Sequence, residues 1–307
     1  MEGILPLYKP KGMTSHDCVF KLRKILKMKK IGHTGTLDPD VTGVLPICLG
    51  RATKVAEYIT EAGKAYEGEV TIGFSTTTED SSGELVERKK INGSISRKQL
   101  IEVLTKLTGE ITQTPPMYSA VKVNGKRLYE YARQGIEVER PSRVVNIYSI
   151  ELLDDRDSFN GETISFRFRV SCSKGTYIRT LAVMIGAELG YPAHMSELIR
   201  IQSASYFLDD CLTFEEIEKR VEAGILEEKI RPLESALSHL PKYTINDTVA
   251  KKVQNGAVLP TAHHLLNING PFVFETIDHI ALAIYDHHQQ KQGLLKPVKV
   301  LRNEQLG

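Results

Sequence analysis

Polar and apolar residues alternate most cleanly over 162–172, where Ile164, Phe166, Phe168, Val170 and Cys172 are separated by Ser165, Arg167, Arg169 and Ser171. A period of two predicts a strand with one buried face. A second alternation, through Tyr66, Gly68, Val70, Ile72 and Phe74, predicts a strand over 66–74, and 143–153 reads as a third. Helical spacing occurs elsewhere. Val19, Phe20, Leu22 and Ile25/Leu26 make a stripe over 14–30, with Thr14 and Ser15 as caps and Gly32 as a stop. Ser96 and Gly109 bracket a helix over 97–108, and Gly190 closes one over 177–189. Thr213 with Glu216 makes a capping box for a short helix ended by Gly224. An Asn-Gly turn at 124–125 between Val-rich stretches predicts a hairpin arm. Strands mixed with helices predict an α/β or α+β domain. A boundary is expected near 236–245. Beyond it, short β-like runs are broken by Asn-Gly at 255–256 and 269–270 and by Pro260 and Pro271. That tail of about 65 residues suits a small β-barrel or sandwich.

Composition narrows the class without naming a chemistry. A length of 307 residues suits two domains, and 41% hydrophobic with 25% charged residues is the mix of an ordinary globular protein. Collagen-like, disordered and disulfide-scaffold classes are excluded. No apolar run approaches the roughly 20 residues of a membrane helix, and MEGILPLYKPKGM lacks a signal-peptide core. Cys18, Cys48, Cys172 and Cys211 are scattered and read as reduced thiols of a cytoplasmic protein. Charge changes the picture more. Residues 1–60 carry a net +5 and 111–150 a net +3, whereas 151–210 and 211–240 each carry −3 and 241–307 returns to +2. Six of the ten residues 21–30 are Lys or Arg, among them Lys24, Lys27, Lys29 and Lys30, with no acid between them. Such blocks suit a surface that meets a polyanion, or a solvated face segregated by chance.

The candidate chemistry lies in three segments. IGHTGTLDPDVTGVLPICLG (31–50) packs four glycines, two prolines, His33, Asp38 and Asp40 ahead of a buried run, Val44–Leu49. A carboxylate on so rigid a loop suits catalysis, and Asp before Pro equally suits a plain turn. The loop lacks either glycine pattern that cradles phosphates. CSKGTYIRT (172–180) places Arg179 in the first turn of a helix, where the dipole disfavours a cation; a carboxylate or phosphate partner would relieve it, and a plain surface arginine is the alternative. QTPPMYSAVKVNGKRLYEYAR (113–133) interleaves Lys122, Lys126, Arg127 and Arg133 with Tyr118, Tyr129 and Tyr131, a pattern that can hold phosphates and stack on bases, or equally a plain, partly exposed hairpin with a helix. His263–His264 and His287–His288 are adjacent pairs whose side chains do not converge, so neither reads as a metal site.

Five segments together resemble one family. KPKGMTSHD (9–17), GHTGTLDPDVTGVLPICLGRATK (32–54), KAYEGEVTIG (64–73), TPPMYSAVKVNGKRLYEYAR (114–133) and CSKGTYIRTL (172–181) are similar, in order, to the motifs of the TruB-type bacterial tRNA pseudouridine synthases. The resemblance spans about residues 4–205 and is loose over 241–307. It implies an α+β pseudouridine synthase fold: a mixed, largely antiparallel central sheet over 1–238, a tRNA-gripping insertion at 113–150, and a PUA-like RNA-binding barrel over 239–307. It implies isomerisation of uridine 55 in the tRNA T-loop by a cytoplasmic monomer, with no cofactor, no metal and no obligatory protein partner. Asp38 then corresponds to the essential carboxylate, Arg179 to its ion-pair partner, and Tyr66 to the aromatic that stacks on the flipped base with its hydroxyl near C5. His33 would brace the gap left by that base, and Leu198 in SELIR would pack on its other side. Lys9, Tyr118 and Lys174 would complete the substrate contacts. Lys24, Lys27, Lys29, Lys30, Lys122, Arg127 and Arg133 would meet the RNA backbone. Tyr8 departs from the family, standing where many relatives carry Asp or Asn. A non-catalytic RNA-binding protein, or a synthase for another RNA, is the alternative.

Overall fold

A computed structural model describes residues 1–303. In chain order the elements that frame the site are β1 (Gly3–Lys9), α1 (Ser15–Ile25), β2 (Ile31–His33), β3 (Thr42–Leu49), α2 (Ala56–Glu61), β4 (Lys64–Ile72), α3 (Arg97–Lys106), β5 (Gly109–Gln113), α4 (Leu128–Ala132), β6 (Arg143–Leu152), β7 (Ile164–Cys172), α5 (Ile178–Leu189), β8 (Ala193–Ser203), β9 (Tyr206–Phe207) and α6 (Phe214–Glu222). Their strands form one sheet of order β1-β3-β8-β4-β7-β6-β5, with β2 also on β3 and β9 also on β8. Every pairing is antiparallel except β3 with β8, where Thr42 and Gly43 run beside Ile199 and Arg200. The sheet is mixed and largely antiparallel, as the resemblance implied.

The three expected strands are β4, β6 and β7. Phe166, Phe168 and Val170 turn one face of β7 into a core shared with Tyr66, Val70 and Ile72 of β4 and with Leu181, Ala182 and Ile185 of α5. Each of the two phenylalanines, fully buried, contributes about 1.5–3 kcal/mol. β1 and β3 carry no alternation because both of their faces are covered. Leu5, Leu7, Leu45 and Ile47 face α1 and α6. Ile4, Val44 and Cys48 face the opposite way. Pro6 and Pro46 stand opposite each other in this ladder. The chain's outward groups at this end of β1 bond elsewhere: Ile4 exchanges hydrogen bonds with Arg231, the Pro6 carbonyl accepts from Leu212, and Tyr8 donates to Leu212. The missing N–H groups of the two prolines therefore cost the ladder nothing.

One helix is shorter than its sequence pattern. α1 ends at Ile25 rather than near residue 30, because Lys27 takes a left-handed backbone (φ 50°) that turns the chain into β2. Lys27, Lys29 and Lys30 thus lie on the connecting turn. α6 carries its expected capping box, Thr213 with Glu216, the expected cap Ser96 of α3 proves to be a capping box with Gln99, and Gly190 closes α5 with φ 80°.

Past Leu237 the chain enters a second sheet of β10 (Lys242–Thr244), β11 (Leu259–Pro260), β12 (Phe272–Glu275), β13 (Ala281–His287) and β14 (Leu294–Val300), in the order β10-β12-β13-β14-β11. A helix unforeseen in the sequence, α7 (Asp247–Gln254), covers one face with Ala250 and Val253 against Phe272, Phe274 and Tyr285. Its signal is Asn246, whose side chain accepts from the Val249 amide at 3.0 Å. The other face is not free. Val273, Ala281, Ile284 and Leu301 share an apolar cluster with Ile4, Val44, Val55 and Ile59. Lys54 Nζ donates to the Val300 and Leu301 carbonyls at 2.9 and 3.2 Å. No helix among the described residues is long and apolar enough to cross a membrane.

Candidate active site

The loop between β2 and β3 is held from below at several points. The Leu37 amide donates to Ser15 Oγ at 2.9 Å, and the Gly12 amide to the Pro39 carbonyl at 2.8 Å. Lys9 Nζ donates to the Pro10 and Pro39 carbonyls, each at 2.9 Å. Val41 N–H returns to the Asp38 carbonyl at 3.1 Å, so Asp38 does start a turn. Its side chain is left to do something else. Asp38 Oδ2 lies 3.0 Å from Arg179 Nε.

Arg179 reaches this point from the first turn of α5 and is 5% exposed. Its Nη1 donates to the Thr78 carbonyl and its Nη2 to the Tyr118 carbonyl, both at 2.9 Å. Asp80 Oδ2 adds a second carboxylate at 3.8 Å. The cation's unfavourable place at the helix start is thus compensated by two acids and two carbonyls. Asp80 is itself fixed, its Oδ1 accepting from Thr78 Oγ1 (2.6 Å), Ser82 Oγ (2.6 Å) and the Ser82 amide (3.0 Å). Beside it, Glu79 holds a left-handed backbone (φ 63°) and accepts from Thr180 Oγ1 at 2.8 Å. Asp80 and Glu79 fall in STTTEDSSG, which reads only as a polar loop. The available signal was an acid pair inside a run of Ser and Thr able to bond it.

These groups wall a cleft of about 500 Å³ whose lining includes Asp38, Asp40, Asp80, Arg179, Leu198 and Gly68. Leu198 on β8 faces Gly68 on β4. A Cβ at Gly68 would stand 2.8 Å from the Glu197 carbonyl and 2.9 Å from Leu198 Cδ1, so only glycine lets the two strands meet here. Gly43 has the same role on β3: with φ +104°, its Cβ would lie 2.2 Å from the Arg200 carbonyl. Tyr66 sits two residues from Gly68 on the same face and packs in the apolar cluster with Leu37 and Val41, which flank Asp38 in the chain. The insertion closes the far side. Tyr118, Tyr129 and Arg133 all line the cleft. Arg127 and Arg133 lie 5.7 and 5.3 Å from the Tyr129 ring centre, in cation–π contact.

Charge in the cleft is finely balanced. Burial pushes the Asp38 carboxyl above its usual range, Arg179 pulls it back, and Asp80 pushes it up again. Burial raises the Tyr66 hydroxyl and Arg200 opposes it. Burial lowers the Lys9 ammonium and the His33 imidazole.

The expected residues therefore separate into groups. Asp38, Arg179, Leu198, Tyr118 and Arg133 meet at the cleft, with Tyr66 behind it. Lys9, expected to touch substrate, is fully buried beneath the loop, because its ammonium is spent on two backbone carbonyls. Lys174, expected beside it, is ion-paired with Glu61 and is not among the lining residues. His33 ends β2 outside the lining, with its Nδ1 buried and unpartnered. Lys122 and Arg127 sit on the short hairpin Lys122–Val123/Lys126–Arg127, turned by Asn124 and Gly125 with φ 50° and 83°. Lys24 lies in the last turn of α1. In the tail, His264 packs against Tyr243 with ring centres 5.8 Å apart. Among the described residues no group of three or more His, Cys, Asp or Glu could hold a metal ion.

Comparison with known proteins matches this architecture throughout. The family model of the TruB family pseudouridylate synthase N-terminal domain covers residues 23–178, and that of the tRNA pseudouridylate synthase B C-terminal domain covers 179–238. The chain belongs to the TruB family of pseudouridylate synthases. It is an isomerase. Among TruB relatives, the tRNA pseudouridine synthase B of a Bacillus cereus strain is 61% identical over 307 residues, 99% of each chain. That of Geobacillus thermodenitrificans is 58% identical over 302 residues, 98% of this chain and all of the other. A chain in the crystal structure of a Cbf5-Nop10-Gar1 complex superposes with a TM-score of 0.75 at 30% identity, over 98% of this chain and 85% of that one. One in an H/ACA RNP bound to a substrate RNA containing 2′-deoxyuridine superposes at 0.72 and 27%, over 97% and 84%. The two TruB models divide the chain at the start of α5, between Tyr66 and Arg179, so the cleft spans both.

Proposed function

We propose that this enzyme converts uridine 55 in the T-loop of tRNA to pseudouridine, acting without a protein partner. The observation that carries the reading is the Asp38–Arg179 pair, a carboxylate pinned at 3.0 Å on the wall of a cleft of nucleoside size. The names of the relatives support tRNA as substrate. A uridine inside a folded loop reaches such a carboxylate only by flipping out, at a cost of a few kcal/mol of unstacking. Leu198 and Val41 supply apolar surface for the base. Both chemical routes open to Asp38, attack on C1′ and removal of a sugar proton, need it ionised. Burial works against that, so the Arg179 guanidinium is what keeps the charge in place. The C1′–N1 bond breaks, the base turns, C1′ joins C5, and Tyr66 takes the proton that C5 loses. Tyr118, Tyr129 and Arg133 grip the T-arm, and the basic turn after α1 meets phosphates.

Tritium at C5 of uridine tests this, since forming the C1′–C5 bond releases it. Wild-type protein with a labelled tRNA transcript is expected to release one label per tRNA, mapped to position 55, and Asp38→Asn none. Release mapped elsewhere, or no release with tRNA tightly bound, would overturn the proposal in favour of another RNA substrate or a binding protein.

A further inference from the structure

Arg200 lies on β8, 1% exposed, and the catalytic scheme above leaves it without a task. Its Nε donates to the Val44 carbonyl at 2.7 Å, but its Nη2 is buried with no hydrogen-bond partner. Among the described residues no ion pair includes it, in contrast to Arg179 with its two acids. Burying a cation with an idle donor costs free energy, so its retention calls for a physical reason. The groups that feel its charge are Lys9, Lys64, His33, Cys211 and Tyr66. The first three are made worse by it. Burial pushes the Cys211 thiol up to about 12, so it stays protonated. The neighbour that gains is the Tyr66 hydroxyl. Arg200 and Tyr66 are direct cross-strand partners, so both side chains leave the sheet on one face, and the guanidinium's charge favours the ionised phenol. The ionised Asp38 carboxylate from the loop disfavours negative charge on Tyr66, while burial pushes the Cys172 thiol of β7 up to about 11 and so keeps it neutral.

We propose that Arg200 is the positioning residue for Tyr66: it orients the phenol oxygen and balances the negative charge that lets this oxygen take the proton from C5 of the base. The inference rests on the role given to Tyr66 above. When C1′ has joined C5, that carbon is tetrahedral and still bears its hydrogen. The Tyr66 hydroxyl first gives its proton to water, and Arg200 balances the phenolate so formed. The phenolate oxygen takes the C5 proton, the C5–H electron pair restores the C5=C6 double bond, and the N1=C6 pair moves to N1, which takes the proton back from water. Tyr66 thus ends as the hydroxyl it began as, and no proton is gained or lost overall. A cation already fixed beside the oxygen needs no reorganisation at that moment.

The test is single-turnover conversion of tRNA transcripts carrying protium or deuterium at C5, from about pH 6.5 to 9.5, with tRNA affinity measured alongside. Arg200→Met is expected to slow conversion roughly 30-fold at neutral pH and to regain about tenfold per pH unit as the phenol is ionised by base instead. Its deuterium effect is expected to exceed that of wild type, and Arg200→Lys to lie between them with affinity unchanged. An equal loss at every pH, or a deuterium effect no larger than that of wild type, overturns the proposal and leaves Arg200 a structural cation. If Arg200→Met does not fold, the deuterium effect in Arg200→Lys decides on the same terms. Tyr66→Phe separates the two levels. Full conversion by Tyr66→Phe removes the role of Tyr66 itself, whereas an inactive Tyr66→Phe beside a pH profile of Arg200→Met parallel to wild type sinks only the role given to Arg200.

Discussion

Arg179 and Arg200 are both buried cations beside one cleft, and the fold treats them in opposite ways. Arg179 opens a helix and has every side of its guanidinium engaged, by Asp38, Asp80 and the carbonyls of Thr78 and Tyr118. Arg200 is mid-strand, with one bond to Val44 and an idle nitrogen. A saturated cation defines geometry: it ties three loops, around residues 38, 78 and 118, to one helix end. An unsaturated one keeps its donor for charge that appears only during reaction. The same residue type thus serves as a bracket in one place and as a reserve in the other.

The sharpest way to break this contrast is to remove the acid that Arg179 holds. Asp38→Asn keeps the shape and hydrogen-bonding capacity but not the charge. Turnover is expected to fall at least ~10³-fold with tRNA affinity within a few-fold, read by label release and filter binding. A large loss of affinity instead would make Asp38 structural. Arg179→Met comes next, with a loss of roughly 10²–10³-fold in rate. It leaves Asp38 and Asp80 facing each other, but Asp38 is partly open to solvent, so urea unfolding is expected to show about 1–3 kcal/mol less stability. The same variant carries a pH signature. Arg179 holds the Asp38 carboxyl down against burial, so without it the carboxyl rises further and activity is lost at higher pH than in wild type as pH falls. Rate profiles over about pH 5–8 check the direction, and an unshifted acid limb would detach Arg179 from Asp38.

Weaker effects are expected on the arm and the basic turn. Arg127→Ala with Arg133→Ala should lower tRNA affinity about tenfold and flatten its salt dependence by one to two phosphate contacts, with single-turnover chemistry at saturation little changed. Lys27→Ala with Lys29→Ala should cost only about two- to fourfold in affinity, because these side chains ride an exposed turn. A salt slope identical to wild type in either pair would take those residues off the RNA.

Alternation made β4 and β7 legible because each shows one face to a core and the other to polar surroundings. β1 and β8 were not legible, for different reasons. β1 is buried on both sides and carries Pro6, so it has neither period nor strand composition. β8 carries register shifts between Met195 and Glu197 and between Arg200 and Gln202, which scramble the alternation at the very strand that bears Leu198. At the site, a cation at a helix start left a carboxylate, a phosphate or plain solvent open as the surroundings of Arg179, and the structure puts Asp38 beside it. The depth of Lys9 had no such signal, because a lysine in a loop motif looks the same whether its ammonium faces substrate or two carbonyls. Asp80 and Arg200 were hidden because their importance comes from strands and loops far apart in sequence.

The apolar cluster that joins Ile4 to Leu301 has a bearing on how the protein is made. About 300 residues separate the two, so the cluster closes one of the longest loops in the protein. At about 5–20 residues per second, a ribosome releases the last strand roughly 15–60 s after the first. Through that interval Ile4, Val44 and Ile59 have no final cover, and the first strand waits with one side of its cluster open. Newborn chains would therefore carry an exposed apolar seam until residues 273–301 have been made, and that seam is where a chaperone would bind them and where a chain stalled before that point would aggregate.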